Sequence, residues 1–327
     1  MIRAAIAGVG HYLPERVVEN DWFASFLDTS DEWIRSRSGI ERRHFAADGQ
    51  VTSDLALEAA RGALTDAGMA PDDLDAVVVA TSTPDLTFPA TATILQQKLG
   101  MTRGFAYDVQ AVCAGFVYAL SNAHALIVSG QASTVLVVGA ETFSRILNWE
   151  DRATAVLFGD GAGAVVLRAV EGQGTPADVG ILAVDLHSDG RHRDILQVSG
   201  GVSSTGTAGH LTMAGKEVFR HAVEKLARCT EDVIAKAGVT MDAIDRVVPH
   251  QANVRIIAKT AAKLGLPMEK VVVTVQDHGN TSAASIPLAM SVAAKRGDLK
   301  PGDLIVTEAI GGGLAWGAVV LRWGHGR

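Results

Sequence analysis

Apolar and polar positions alternate between two kinds of segment along this chain. Short runs rich in β-branched residues predict buried strands: Ala76–Thr81, Thr134–Gly139, Arg246–Pro249 and Leu304–Thr307. Between these runs, apolar residues recur at helical spacing and predict amphipathic helices: Ser53–Ala67, Ala114–Val128, Glu217–Ala237 and Asn253–Leu264. Strands that alternate with helices predict an α/β fold with largely parallel strands buried on both faces.

Parts of the first half of the chain recur in the second half in the same order: Ala67–Val78 in Ala237–Val248, Lys98–Met101 in Lys263–Leu266, and Gly163–Arg168, unchanged, in Gly317–Arg322. Together these repeats predict an internal duplication, with halves at residues 1–172 and 173–327 joined near the turn-like segment Glu171–Pro176. The interface between two such halves is a favoured place for a ligand site, so residues far apart in sequence are expected to meet there.

Composition excludes several classes of protein. The 327 residues include only two cysteines, which argues against a disulfide framework or a Cys-rich zinc module and fits a reducing, cytoplasmic location. The net charge of -7 argues against a nucleic-acid-binding protein. No apolar stretch approaches the roughly 20 residues needed to span a membrane, and no targeting signal is present. The ten histidines form no metal-binding motif, so no metal site is expected.

The two cysteines lie in different sequence contexts. Cys113 follows the strand-like segment Gly104–Val109 and precedes a helical pattern of small residues, which places it at a helix N-terminus. Free N–H groups and the helix dipole there stabilise a thiolate, so Cys113 is a candidate nucleophile, with a buried structural cysteine as the alternative. Cys229 occupies an apolar position at helical spacing between Val218 and Val233, which indicates core packing.

The second half of the chain supplies polar residues that suit a nucleophilic cysteine. His250 follows the strand Arg246–Pro249, and Asn280 lies on a glycine-containing loop before a small-residue helix. Either residue alone is more often a surface or turn residue. With Cys113, however, they form a coherent set, because the cysteine can attack a carbonyl while His and Asn donate hydrogen bonds to the developing oxyanion. Gly311–Gly313 would let a backbone N–H approach the reacting atom closely.

Eight segments carry a resemblance to a known family: Thr29–Ile34, Arg37–Ile40, Val112–Phe116, Phe158–Gly163, His210–Gly215, Pro249–Asn253, His278–Ala283 and Gly311–Gly313. Together they resemble β-ketoacyl-acyl-carrier-protein synthase III, the initiating condensing enzyme of bacterial type II fatty acid synthesis. The resemblance runs in order over essentially the whole chain. It implies a thiolase-like α/β fold, with two duplicated halves in an αβαβα layered arrangement, mixed and mostly parallel sheets, and a homodimer.

The resemblance also implies an activity. Cys113 would take an acyl group, typically acetyl, from acyl-CoA, and His250 and Asn280 would assist decarboxylation of malonyl-acyl carrier protein. The resulting enolate would attack the Cys113 thioester and give 3-oxoacyl-acyl carrier protein, CoA and CO2. Acyl-CoA and the acyl carrier protein are substrates in this reaction, and no cofactor or metal is implied.

Further site residues follow from the same resemblance. The N–H groups of Cys113 and Gly312 would form the oxyanion hole, and Trp33 and Arg152 would sandwich the CoA adenine. Phe88, at the dimer interface, would bound the acyl pocket of the partner subunit. The remaining implied residues line the pantetheine and nucleotide channel (Thr29, Arg37, Gly215, Phe219, Ala252 and Asn253) or dock the carrier protein (Arg220, Arg255, Lys259 and Lys263).

Other functions fit the sequence less well. A papain-like thiol hydrolase also uses Cys, His and Asn in this order, but its Cys-Gly-Ser-Cys-Trp signature is missing and the internal repeat would have no explanation. A degradative thiolase needs another cysteine near the C-terminal glycine loop, and none follows Cys229. Retention of Cys113, His250 and Asn280 argues against a non-catalytic acyl-CoA-binding or protein-binding relative. A condensing enzyme of a specialised-metabolite pathway, with a different acyl donor or acceptor, remains a second interpretation.

Overall fold

The computed structural model describes residues 1–324 and contains every strand and helix that the apolar pattern predicted. The first half consists of β1 (Ile2–Tyr12), β2 (Arg16–Glu19), α1 (Asn20–Ala24), α2 (Asp31–Ser38), β3 (Arg42–Phe45), α3 (Thr52–Ala67), β4 (Ala76–Ala80), α4 (Thr91–Leu99), β5 (Phe105–Val109), α5 (Gly115–Val128), β6 (Thr134–Glu141) and β7 (Gly161–Glu171). The second half consists of β8 (Gly180–Ser188), β9 (Leu196–Val198), β10 (Leu211–Met213), α6 (Gly215–Lys236), β11 (Arg246–Pro249), α7 (Val254–Lys263), α8 (Val275–His278), α9 (Ser285–Arg296), β12 (Leu304–Gly311) and β13 (Ala315–Arg322).

The predicted boundary between residues 172 and 173 falls in the connection from β7 to β8 and stays a prediction. Residues 325–327 of the second predicted half lie outside the described residues. Among the described helices, none is both long enough and apolar enough to cross a membrane.

The two main sheets repeat one strand order. The first sheet runs β1-β7-β6-β4-β5, and the second, traced from its matching edge, runs β8-β13-β12-β11. The repeated hexapeptide lies in β7 and β13, and each of these strands pairs antiparallel with the strand before it in its own half. The duplication predicted from the sequence is therefore visible as equivalent strands in equivalent places.

The two main sheets are mixed, as expected, but antiparallel pairs outnumber parallel pairs in them. In the described part of the chain, β4–β5, β4–β6 and β11–β12 are parallel, whereas β1–β7, β6–β7, β12–β13 and β8–β13 are antiparallel. Parallel neighbours need a crossover, usually a helix, while strands joined without one return in the opposite direction. The prediction considered only strands flanked by helices, and the antiparallel pairs of the two main sheets all involve β7 or β13, which follow the preceding strand without a helical crossover.

The helices and sheets form the five predicted layers. Helices α5 and α9 lie between the two sheets, where Phe116, Leu120 and Met290 share one core with Val137 of the first sheet and Val319 of the second. Helices α3 and α4 cover the outer face of the first sheet, and α6 and α7 cover the outer face of the second. Full burial of each such large side chain stabilises the fold by about 1.5–3 kcal/mol relative to exposure, so the central layer holds α5 and α9 firmly in place.

Two equivalent turns lead into the central helices. Short 3₁₀ helices, Val112–Ala114 and Ser282–Ala284, precede α5 and α9, and both begin at a non-glycine residue with positive φ, 50° at Val112 and 49° at Ser282. The two turns pack against each other beside the ends of β6 and β12. Glycine allows this approach, because a Cβ on Gly139 would lie 2.2 Å from the Ala283 carbonyl oxygen.

Candidate active site

The three residues proposed for catalysis line one pocket of about 470 Å³. Cys113 comes from the turn between β5 and α5, His250 follows β11, and Asn280 lies in the loop before α9. Their exposed fractions are 4%, 5% and 7%, so all three lie deep in the pocket. The fold thus brings together residues that are far apart in the sequence, because the equivalent turns before α5 and α9 meet at this cleft, beside the end of β11.

The electrostatics of Cys113 differ from the expectation. A helix N-terminus alone favours the thiolate, yet burial raises the pKa of the Cys113 thiol to about 12. The Ser282 hydroxyl opposes this increase and the nearby Glu141 carboxylate adds to it. Loss of water around the sulfur therefore outweighs the helix terminus, and the free protein holds a neutral thiol that must lose its proton as it attacks.

His250 is held as a neutral hydrogen-bond donor. Its Nδ1 lies 2.6 Å from the Ser285 Oγ, and that oxygen also accepts a hydrogen bond from the Gln251 N–H at 3.3 Å. Among the described residues, His250 Nδ1 is the hydrogen-bond acceptor within reach of the Ser285 hydroxyl, so we assign the hydroxyl as the donor to Nδ1 and the His250 proton to Nε2. Burial lowers the pKa of His250 to about 3, so the ring stays neutral near pH 7 and can donate from Nε2.

Asn280 is oriented by its neighbours in a similar way. Its Oδ1 accepts a hydrogen bond from the Ser282 N–H at 2.9 Å, and its backbone bonds to Leu157 and Gly159 fix the loop. Since the oxygen is occupied, the amide NH2 is the group left to donate into the pocket. His250 and Asn280 therefore offer two neutral N–H donors, an arrangement that can stabilise negative charge on a substrate oxygen.

The glycine loop after β12 lies against the Cys113 turn. A Cβ on Gly311 would lie 2.6 Å from the Cys113 nitrogen, and a Cβ on Gly312 would lie 2.6 Å from the Leu196 carbonyl oxygen. Side chains at these two positions would therefore push the strand end away from the nucleophile. This close packing supports the Cys113 and Gly312 N–H pair as an oxyanion hole, which stays a proposal.

Most residues expected to form the channel line this same pocket: Trp33, Arg37, Gly215, Phe219, Ala252 and Asn253. Asn253 also accepts hydrogen bonds from Arg255 and Ile256 and thereby caps α7. Thr29 and Phe88 lie outside the described lining, and Phe88 is 82% exposed. In a single chain, Phe88 therefore bounds no acyl pocket, and its expected role depends on a partner subunit.

The proposed adenine sandwich is closed in this structure. The guanidinium carbon of Arg37 lies 4.4 Å from the Trp33 ring centroid, and that of Arg152 lies 5.1 Å from the same centroid. An inserted base needs two stacking gaps of about 3.5 Å each. Arg152, which pairs with Asp28, would therefore have to swing away from Trp33 to admit an adenine.

The structure adds pocket residues that the sequence did not identify. The apolar walls come from many elements: Ile34, Val156, Leu157, Phe158, Leu196, Met213, Val218, Ala222, Leu226, Ile256 and Ile310. Ile34, Phe158 and Met213 fall within segments that carried the family resemblance, whereas the other wall residues belong to no motif and no sequence signal marks them. Exposed Lys216 joins Arg37 and Arg255 at the pocket, and its place directly after the segment His210–Gly215 could have indicated it. The apolar walls and cationic residues suit a ligand with an apolar arm and an anionic end.

The residues expected to dock the carrier protein are exposed. Arg255, Lys259 and Lys263 recur at every fourth position of α7 and so share one helix face, which we call the α7 basic face. Arg255 also lines the pocket and lies over the Phe219 ring, with 5.7 Å between its guanidinium carbon and the ring centroid. Arg220 is exposed on neighbouring α6. The α7 basic face therefore borders the pocket.

One group of possible metal ligands occurs among the described residues, away from the pocket. Asp185, His187 and Asp232 place one ligand atom each within 4.8 Å of one another. The His187 Nε2 already lies 2.6 Å from an Asp185 oxygen, and the Lys236 ammonium pairs with the other Asp185 oxygen. Because a resident cation already neutralises Asp185, we assign this cluster a structural ion pair.

Family models and a curated protein match most of this chain. A family model described as 3-oxoacyl-[acyl-carrier-protein (ACP)] synthase III matches residues 107–190, and the model of its C-terminal part matches residues 234–323. A β-ketoacyl-[acyl-carrier-protein] synthase III of Ruegeria pomeroyi is 70% identical over 321 residues, which are 98% of this chain and 99% of that protein.

Solved structures agree with the sequence comparison. The crystal structure of a 3-oxoacyl-[acyl-carrier-protein] synthase III from Aquifex aeolicus VF5 matches with a TM-score of 0.92 at 44% identity, over 98% of this chain and 100% of that one. A synthase III structure from Thermus thermophilus matches with a TM-score of 0.92 at 45% identity, over 99% of this chain and 100% of that one. The similarity therefore covers both halves and the pocket between them.

Proposed function

The chain belongs to the β-ketoacyl-acyl-carrier-protein synthase III family, and from this premise we propose that it condenses a short acyl-CoA with malonyl-acyl carrier protein. The observation that carries the proposal is the meeting of Cys113, His250 and Asn280 in one buried pocket. Acetyl-CoA is the proposed acyl donor. The products are 3-oxoacyl-acyl carrier protein, CoA and CO2, and the reaction starts fatty acid synthesis.

Acyl transfer is the first half-reaction. Cys113 attacks the acyl-CoA carbonyl, and the bond to the CoA sulfur breaks as the thioester to Cys113 forms. The N–H groups of Cys113 and Gly312 are proposed to hold the negative oxygen of the tetrahedral intermediate. Arg37, Lys216 and Arg255 supply positive charge for the CoA phosphates at the exposed part of the pocket.

Condensation is the second half-reaction. The malonyl thioester carbonyl accepts hydrogen bonds from His250 Nε2–H and the Asn280 amide. When CO2 leaves, the electron pair of the broken bond forms an enolate, and the same two donors stabilise its oxygen. Neutral donors suit this step, because an imidazolium would protonate the enolate rather than hold it. The enolate carbon then attacks the acyl group on Cys113, and the cysteine leaves as a thiolate.

Incubation of the protein with acetyl-CoA tests the first half-reaction. We expect a single acetyl group on the peptide that contains Cys113, located by peptide mass analysis. Addition of malonyl-acyl carrier protein should then remove the acetyl group and release CO2 with 3-oxoacyl-acyl carrier protein. If no short acyl-CoA acylates the protein, the proposed function is wrong.

The α7 basic face is proposed to dock the acyl carrier protein, because an enzyme of net charge -7 must meet an acidic partner through a local positive patch. Lys259→Glu should lower kcat/KM for malonyl-acyl carrier protein by about two- to fivefold, the scale of one exposed ion pair, while acyl transfer from acetyl-CoA continues unchanged. High salt should reduce the same step more than acyl transfer. Both rates are measured separately over a range of salt concentrations.

Lys300→Glu is the charge-matched control for this prediction. Lys300 is exposed just before the start of β12, whereas the pocket lies at the other end of that strand. The control should leave both half-reactions unchanged. Equal salt sensitivity of the two half-reactions, or an equal effect of the two variants, would contradict docking at the α7 basic face.

A homodimer is proposed to form along the edge strand β5. Among the described strands, β5 pairs only with β4, so its other edge is open. Apolar side chains are exposed on this strand and on the loop between β4 and α4, with 41% of Phe105, 53% of Leu86 and 82% of Phe88 accessible. Open edges with apolar side chains favour pairing with another chain. In a dimer, Phe88 would reach the acyl pocket of the partner subunit.

The proposed location is the cytoplasm, and the proposed reaction needs no cofactor, metal, nucleic acid or membrane.

A further inference from the structure

A buried carboxyl group lies beside the nucleophile and has no part in the reaction described above. Glu141 ends β6, is fully buried, and its Oε2 accepts hydrogen bonds from Thr83 Oγ1 at 2.6 Å, the Ser82 N–H at 3.0 Å and Thr81 Oγ1 at 3.2 Å. Its other oxygen, Oε1, is buried and has no hydrogen-bond partner in the described part of the chain. Burying a carboxylate costs free energy when one of its oxygens has no hydrogen-bond donor. A neighbouring group that can donate a hydrogen bond or a proton to Oε1 would remove this cost.

Ser282 connects this carboxyl group with the nucleophile. Its turn packs against both β6 and the Cys113 turn, and its hydroxyl lies against the Cys113 thiol and the Glu141 carboxyl. The Ser282 Oγ is buried as well and lacks a partner of good hydrogen-bond geometry among the described residues. The Ser282 hydroxyl therefore lies between the Cys113 thiol and the Glu141 carboxyl group in a buried region. Neither this hydroxyl nor Glu141 Oε1 has a hydrogen-bond partner among the described residues.

We propose that Ser282 and Glu141 hold the proton of Cys113 while the cysteine is acylated. When Cys113 attacks acyl-CoA, its thiol proton passes to the Ser282 oxygen, and the Ser282 proton passes to Glu141 Oε1. The CoA sulfur leaves as a thiolate and takes a proton from water in the open channel. When condensation later releases Cys113 as a thiolate, the proton returns from Glu141 through Ser282, and Glu141 is again a carboxylate.

This inference rests on the proposed function and addresses a gap in it. His250 stays neutral and is engaged through Nδ1, so acyl transfer needs another acceptor for the thiol proton. Burial raises the pKa of Glu141 to about 7, which makes its carboxylate a suitable acceptor near neutral pH. Cys113 is the titratable group that interacts with Glu141 from the neighbouring turn. The groups that bind Oε2 are hydroxyl and N–H groups of Thr81, Ser82 and Thr83.

Glu141→Gln tests the proposal in the full-length protein. The amide keeps an oxygen for the Thr81, Ser82 and Thr83 donors but cannot take a proton. We expect the rate of Cys113 acetylation by acetyl-CoA to fall by about 100-fold, the lower end of proton-transfer contributions. In the unchanged protein this rate should rise with pH as Glu141 ionises near pH 7, and in the variant this rise should be absent. Rates are measured by intact mass in single turnovers between about pH 5.5 and 9, a range centred on that ionisation.

Two further variants separate this role from a structural one. Glu308→Gln is the matched control, because Glu308 is also buried, has a pKa raised to about 8 by burial, and lies near the other buried thiol, Cys229. It should acylate at the normal rate with the normal pH profile. Ser282→Ala keeps the backbone N–H that Asn280 accepts and removes only the hydroxyl, so it should lose the same rise with pH.

The outcomes distinguish this proposal from the proposed function. If the unchanged protein is acylated and Glu141→Gln has the same rate and pH profile, the proton relay is wrong while the proposed function stands. If Glu141→Gln does not fold, Ser282→Ala tests the proton relay through the rate of Cys113 acetylation and the dependence of that rate on pH. If no short acyl-CoA acylates the unchanged protein, both proposals fail. Partial recovery of the pH-dependent rise in Glu141→Asp would further support the relay, because only the carboxyl group is common to both residues.

Discussion

Replacing Cys113 with alanine is expected to abolish acyl transfer and condensation together. Cys113 is the nucleophile on which the acyl group is carried, and no other described residue in the pocket can form the same thioester. Loss of a covalent nucleophile reduces turnover by about a millionfold in a well-studied hydrolase, so activity in Cys113→Ala should fall below detection. The measurement is intact mass after incubation with acetyl-CoA, followed by release of 3-oxoacyl product from malonyl-acyl carrier protein.

Cys229→Ala is the control for this prediction. Cys229 is also fully buried with its pKa raised, but it packs in the core between α6 and the second sheet. Its replacement should leave the acetyl adduct and the condensation in place, with a modest loss of stability. An acetyl adduct that persists in Cys113→Ala, or that disappears in Cys229→Ala, would show that the wrong cysteine was assigned.

Replacing His250 with alanine is expected to separate the two half-reactions. Acyl transfer to Cys113 should continue, because the proton of the thiol is proposed to pass to Ser282 and Glu141. Malonyl-dependent condensation should fall by about 100- to 1000-fold, the usual effect of removing one donor to a developing oxyanion. Acetylation of Cys113 and CO2 release from malonyl-acyl carrier protein are measured on the same preparation.

His278→Ala is the matched control for His250→Ala. His278 is another buried histidine of the second half whose pKa burial lowers to about 3, but it does not line the pocket. The control should retain both half-reactions, so that a defect in His250→Ala cannot be ascribed to the loss of any buried imidazole. An equal loss of both half-reactions in His250→Ala would contradict the division of roles between His250 and Cys113.

The positions of helices and strands were predictable where they depend on the local sequence pattern. Helix α3 begins and ends within one residue of the predicted segment Ser53–Ala67, and β11 matches Arg246–Pro249 at both ends. These elements follow from hydrophobic periodicity, and α3 ends at a glycine with positive φ. The number of antiparallel pairs in the mixed sheets was not predictable, because the pairing of β7 and β13 depends on how strands without helical crossovers return to the sheet.

The site was predictable in its main residues but not in its chemistry. Cys113, His250 and Asn280 follow strands or precede helices, and such positions meet at the cleft of a duplicated α/β fold. The sequence context of Cys113 indicated a lowered pKa, whereas burial raises it. Ser285 and Glu141 belong to no motif, and Ser282 was marked only as a member of the segment His278–Ala283, so their relation to His250 and Cys113 is visible only in three dimensions.

The sequence by itself therefore determined the duplicated α/β architecture, the family and the three residues around which the chemistry is organised. These features depend on periodicity, repeats and residue types, all of which are properties of the chain. Only the tertiary structure decided the protonation states of Cys113 and His250, the direction of the Asn280 amide and the neighbours of Glu141. The physical reason is that the charge of a buried group depends on the water it has lost and on the dipoles that surround it, and both are supplied by residues distant in the sequence.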